Sequence, residues 1–213
     1  MRQTLVGRLA ACLLMVAVAV PAHASLVTIE NCPTCYGSVY ALTVTPTTGS
    51  DPLLAYYTAT LSVDATHFTP PDGKDARYIS AVGFKVAADV LSAELVSTSF
   101  VGSGWTTASE ANLNNGGCAG GGHGFVCSQG LVALGSDPLT WTWNVTLAAG
   151  SLFPELAGAH IGAKYTNATG TVNGVITGAT TSAAMPVPEP STLLLLGSGL
   201  LGLGGVAWRR RKT

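Results

Sequence analysis

The sequence predicts an all-β protein, an antiparallel β-sandwich, set between two apolar ends. The first reason is alternation. Across Leu139–Leu147, Trp141, Trp143, Val145 and Leu147 fall on one side and Thr140, Thr142, Asn144 and Thr146 on the other, the two-residue period of a half-buried strand. The second is punctuation: Pro, Gly, Asn and Asp clusters recur at short intervals and break the chain into strand-sized pieces. The third is that no useful 3.6-residue periodicity appears outside the two ends. Short strands with one apolar face each must bury those faces against one another, and two packed sheets do so.

Taken in order, strands are expected at about 26–30, 38–45, 55–63, 79–86, 91–101, 131–134, 139–147, 159–166 and 171–177. Tyr57, Ala59, Leu61 and Val63 share a face in the third, with Tyr56, Thr58, Thr60 and Ser62 opposite; Val82, Phe84 and Val86 share one in the fourth. The breaks are Pro46, Pro52, Pro70-Pro71-Asp72-Gly73, Gly102-Ser103-Gly104, Gly135-Ser136-Asp137-Pro138 and 167–170. Gly120–Gly124 is rich in glycine, lacks the Lys and the strand-to-helix setting of a phosphate cradle, and reads as a loop.

The ends follow a different logic. Arg2 and Arg8 precede an apolar stretch from Leu9 to Val20 and then Ala22-His23-Ala24, which is the pattern of a secretory signal peptide with an A-x-A cleavage site. Residues 1–24 are therefore read as the leader, cut between Ala24 and Ser25. At the other end, Ser191–Trp208 carries no charge. As a helix it would reach roughly 27 Å, close to the lower limit for crossing a hydrocarbon core. Five glycines in that run would weaken a helix in water by about 1 kcal/mol each, which argues against a soluble core helix. Arg209, Arg210, Arg211 and Lys212 follow and would hold the end on the cytoplasmic side as a stop-transfer cluster. A lipid-anchor attachment signal needs no such cluster.

Val187-Pro188-Glu189-Pro190-Ser191-Thr192, an apolar Leu/Gly-rich span and a basic tail, in that order, resemble the PEP-CTERM sorting signal of Gram-negative, exopolysaccharide-producing bacteria. The resemblance implies that Pro188, Glu189 and Pro190 form the sorting motif, that the membrane segment at about 191–208 is a transmembrane helix, and that residues 209–212 form the basic tail. It also implies a partner, the membrane protease exosortase, which would cut near the motif and pass the protein to the cell surface or extracellular matrix. A permanent membrane anchor is the other outcome. The expected organisation is signal peptide 1–24, β-sandwich ectodomain 25–185 and sorting signal 186–213. The resemblance covers only the tail and implies no chemistry for the ectodomain.

Charge narrows the function. Residues 25–187 hold four basic side chains, Lys74, Arg77, Lys85 and Lys164, against ten acidic ones. The whole-chain value of −1 hides this imbalance, because most of the positive charge sits in the two ends. An acidic surface without a basic stripe excludes nucleic acid as a partner, since phosphate neutralisation needs clustered Lys or Arg.

Four cysteines remain beyond the leader: Cys32, Cys35, Cys118 and Cys127. In an exported domain they are expected as disulfides. The favoured pairing is Cys32 with Cys35 and Cys118 with Cys127, the second closing the glycine-rich stretch 119–126; the two cross pairings stay open. Cys32-Pro33-Thr34-Cys35 matches a redox C-x-x-C, but that chemistry needs a helix N-terminus after a strand. A four-cysteine zinc site is the remaining alternative, disfavoured by spacing and compartment.

A search for catalytic machinery finds no zinc-protease motif, nucleophile elbow or P-loop. His67, His123 and His160 lie far apart with no evident acidic partner. No cofactor is expected, with one candidate exception: Asp64, Asp72 and Asp75, whose carboxylates could converge on calcium. Tyr56, Tyr78 and Trp105 are candidate stacking platforms for a polysaccharide. The resemblance of the tail implies a non-enzymatic surface or extracellular-matrix protein associated with exopolysaccharide and biofilm, and the aromatics add carbohydrate binding to that expectation. The alternative is a secreted hydrolase of extracellular polysaccharide, drawing its acid and base from Asp and Glu at loop ends.

Overall fold

The computed structural model describes residues 25–30, 32–71, 74–85, 90–101, 104–114, 116–148, 160–169 and 175–180. Within them the chain is all-β, with two five-stranded antiparallel sheets and no helix. The first sheet has the order β1 (Ser25–Ile29), β2 (Val39–Thr47), β3 (Leu54–Asp64), β8 (Leu139–Ala148), β5 (Val90–Thr98). The second has the order β10 (Val175–Thr180), β9 (His160–Thr166), β4 (Tyr78–Lys85), β7 (Gly117–Ala133), β6 (Thr106–Asn114).

The alternation read from sequence sets the inner face of the first sheet. Trp141, Trp143, Val145 and Leu147 of β8 are buried, as are Tyr57, Ala59, Leu61 and Val63 of β3. The intervening threonines face outward and pair across strands, with Thr60 and Thr142 hydroxyls 3.1 Å apart. Such cross-strand pairs hold register on a solvated face.

The two sheets pack face to face. Phe84 of β4 meets Trp143 of β8 edge-on at 5.1 Å between ring centroids, a favoured aromatic geometry. The Trp143 indole N–H donates to the Ser128 hydroxyl of β7 at 2.8 Å, which satisfies a buried donor across the sandwich. At the other flank the Tyr165 hydroxyl of β9 lies 2.7 Å from that of Ser38 and 3.4 Å from that of Tyr40. Burial, together with the neighbouring Tyr165 hydroxyl, raises the Tyr40 phenol well above its ordinary range and keeps it neutral.

Three expectations require correction. The segment Thr106–Asn114 is a strand that sequence periodicity does not reveal, because it lies at a sheet edge and buries little besides Ala111. The strand expected at 131–134 extends back to Gly117. The glycine-rich stretch expected as a loop therefore belongs to β7, where backbone pairing with Ala111, Asn112 and Asn114 replaces the missing side-chain signal. Val86, Asp72 and residues 171–174 lie outside the described residues, as do 1–24 and 181–213, which hold the expected leader and sorting segment. Among the described residues no helix is long and apolar enough to cross a membrane.

Candidate functional site

The most elaborate part of the domain is built on β6 and β7. Residues 106–109 of β6 pair with 126–129 of β7 in one register, and 111–114 pair with 117–121 in another. Between the two registers β6 spends one residue, Glu110, while β7 spends Gly122–Phe125. An extended strand would carry Cys118 and Cys127 about 30 Å apart; their Cα atoms are 5.6 Å apart. The far end of the hairpin therefore doubles back over the outer face of its own sheet.

Two residues make the reversal possible. Gly124 has φ +74°, a left-handed conformation that glycine adopts without a Cβ penalty. Glu110 has φ +59°, which is uncommon for a side-chain-bearing residue. Its carboxylate offsets the strain by accepting the Val90 N–H at 2.6 Å and the Gly124 N–H at 3.1 and 3.2 Å. The carboxylate thus ties β5 and β7 to the bend.

Beyond the bend, the returning arm is pinned at three points. Cys118 is bonded to Cys127, and its N–H donates to the Gln129 side-chain carbonyl at 3.2 Å. Leu113 lies over Gly83 of β4, where an added Cβ would come within 3.4 Å of the Leu113 Cβ and 3.5 Å of the Cys127 sulfur. A bare backbone at that floor position lets the arm approach closely.

The other disulfide, Cys32–Cys35, closes the turn between β1 and β2, where the Cys35 N–H also donates to the Cys32 carbonyl at 3.0 Å. Both local pairings favoured from sequence are therefore present, and all four cysteines are engaged.

The histidines stay apart, but one expectation fails. His123, taken to lack an acidic partner, has its Nδ1 3.3 Å from Glu110 Oε2 while its ring remains exposed. The hairpin register brings the two together, and no motif or spacing singles out Glu110 beforehand. His67 Nδ1 lies 3.0 Å from the Thr66 hydroxyl, and His160 starts β9.

Of the candidate calcium ligands, Asp64 and Asp75 have local partners, and Asp72 lies outside the described residues. Asp64 accepts from the Thr66 N–H at 2.9 Å and hydroxyl at 2.7 Å, and these bonds hold its carboxyl below the ordinary range. Asp75 pairs with Arg77 at 3.1 Å. Among the described residues no three His, Cys, Asp or Glu side chains gather as a metal-binding group.

The aromatic candidates divide. Trp105 packs edge-on against Trp141 at 5.3 Å and Phe100 at 5.7 Å, and lies against Gly130, so its ring belongs to the rim of the core. Tyr56 is half-buried against Gly49 and walls a crevice of about 340 Å³ with Pro46 and Asp51. Tyr78 is half-buried at the start of β4.

Neither a curated protein nor a solved structure matches this chain. The family model of the PEP-CTERM protein-sorting motif does, over residues 186–212, and the chain therefore carries that sorting motif behind its β domain.

Proposed function

We propose that this protein is exported as a non-enzymatic β-sandwich and delivered by exosortase to the cell surface or extracellular matrix, where it takes part in an exopolysaccharide assembly. The observation that carries this reading is the sorting motif at residues 186–212. In it Pro188, Glu189 and Pro190 are the recognition element, the apolar run at about 191–208 parks in the inner membrane, and Arg209–Lys212 stop transfer. Residues 1–24 serve as the leader, removed after Ala24 so that the mature chain starts at Ser25. Two disulfides suit an oxidising compartment.

A sorting signal acts through the membrane protease, so altering its recognition element should strand the protein at the membrane without unfolding it. Replacing Pro188, Glu189 and Pro190 with alanine is expected to shift the protein from the surface or medium to the inner-membrane fraction. Surface delivery unchanged by the triple substitution would refute the assignment.

A further inference from the structure

Lys164 stands on β9 opposite Ala81 of β4 and Ile176 of β10, between two strand neighbours, Ala163 and Tyr165, that are themselves fully buried. It is only 5% exposed. A lysine is seldom buried to that degree, and a long side chain that covers its stem can still present the ammonium to an adjoining cleft. Among the described residues its side chain nevertheless makes no ion pair and no hydrogen bond.

The lysine lines a cleft of about 430 Å³ at the tip of the folded-back arm, whose Gly116 and Gly117 form one wall. That volume falls within the roughly 300–1,000 Å³ of small-molecule sites. The other side chains lining it are hydroxyl and amide, Ser80, Thr106, Gln129 and Thr169, together with the apolar Leu131. A cation with no counter-ion among the described residues, beside neutral hydrogen-bonding groups, is chemically complementary to a ligand with one negative group and several hydroxyls.

We propose that this cleft binds a small hydroxylated carboxylate, an acidic sugar unit, with the Lys164 ammonium as the counter-ion and the hydroxyl and amide groups holding the sugar hydroxyls. A charge-assisted contact of this kind is about twice as strong as a neutral one. The arm makes the site: without the reversal at Glu110 and Gly124, Gly116 and Gly117 would not reach β9. The inference deepens the matrix role proposed above but does not depend on the sorting route.

Isothermal titration of the full chain in detergent with sodium glucuronate tests it, with glucose and sodium phosphate as parallel arms. The expected result is saturable glucuronate binding in roughly the millimolar range, weaker by about tenfold or more in Lys164→Met, retained in Lys164→Arg, and absent for glucose. Thr106→Ala, at an exposed position of the same cleft, should weaken binding several-fold with the melting temperature unchanged, which guards against misfolding of the lysine variant. No saturable glucuronate binding, or binding indifferent to Lys164→Met, would overturn the site. Phosphate binding as tightly as glucuronate would overturn the sugar assignment. Surface delivery of Lys164→Met should match wild type, so a failure here is distinguishable from a failure of the sorting proposal.

Discussion

At the scale of single residues, several polar groups in this domain are satisfied close to home. Asp64 caps its own turn through Thr66, and the two bonds lower its carboxyl pKa. A carboxylate depressed in the folded state contributes stability above its unfolded value, and that contribution is lost as pH falls through the lower folded value. Asp64→Ala should therefore destabilise the protein near neutral pH by up to about 1 kcal/mol, with the difference from wild type vanishing in strong acid. Urea melts across pH check this; a gap that widens toward acid would contradict the sign. The Ser38, Tyr40 and Tyr165 hydroxyls make the same point inside the core, where each would be costly to bury alone.

At the scale of elements, strands with one clean apolar face were legible in the sequence, and strands without one were not. β3 and β8 announce themselves because Leu61, Val63, Trp141 and Trp143 recur at every second position. β6 stays silent, since Thr106–Asn114 is an edge strand whose side chains are mostly half-buried, and pairing rather than packing defines it. The same limit hides the site. Lys164 reads as an ordinary outward residue of a strand, and only the arm folding back from a bend at Glu110 places it in a cleft; no spacing in the sequence encodes that reversal. The cysteines were the exception, because the short span of eight residues between Cys118 and Cys127 suffices to suggest a local bridge.

That bridge gives the arm a measurable role. Closing so short a segment restrains the unfolded chain by about 2.5 kcal/mol in the entropy model. The double substitution of Cys118 and Cys127 by alanine should cost a comparable amount. It should also raise amide hydrogen exchange across 111–121 more than in β3 or β8, because the arm's other ties, Cys118 to Gln129 and Leu113 over Gly83, are few. Uniform exchange across the domain would argue that the arm is not a separately stabilised unit.

At the scale of the whole molecule, the proposed division of labour is between a β domain that folds around its own core and end segments that direct where it goes. The domain carries acidic charge and two disulfides, whereas the basic residues cluster in the segments flanking it. The sorting motif at 186–212 links the two by giving the domain a route outward. The measurement that bears on this most directly is the intact mass of the protein recovered from the surface or medium of its native host. The account predicts a chain beginning at Ser25 and lacking Trp208 and the basic residues Arg209–Lys212. Recovered protein that still extends to Thr213 would contradict it.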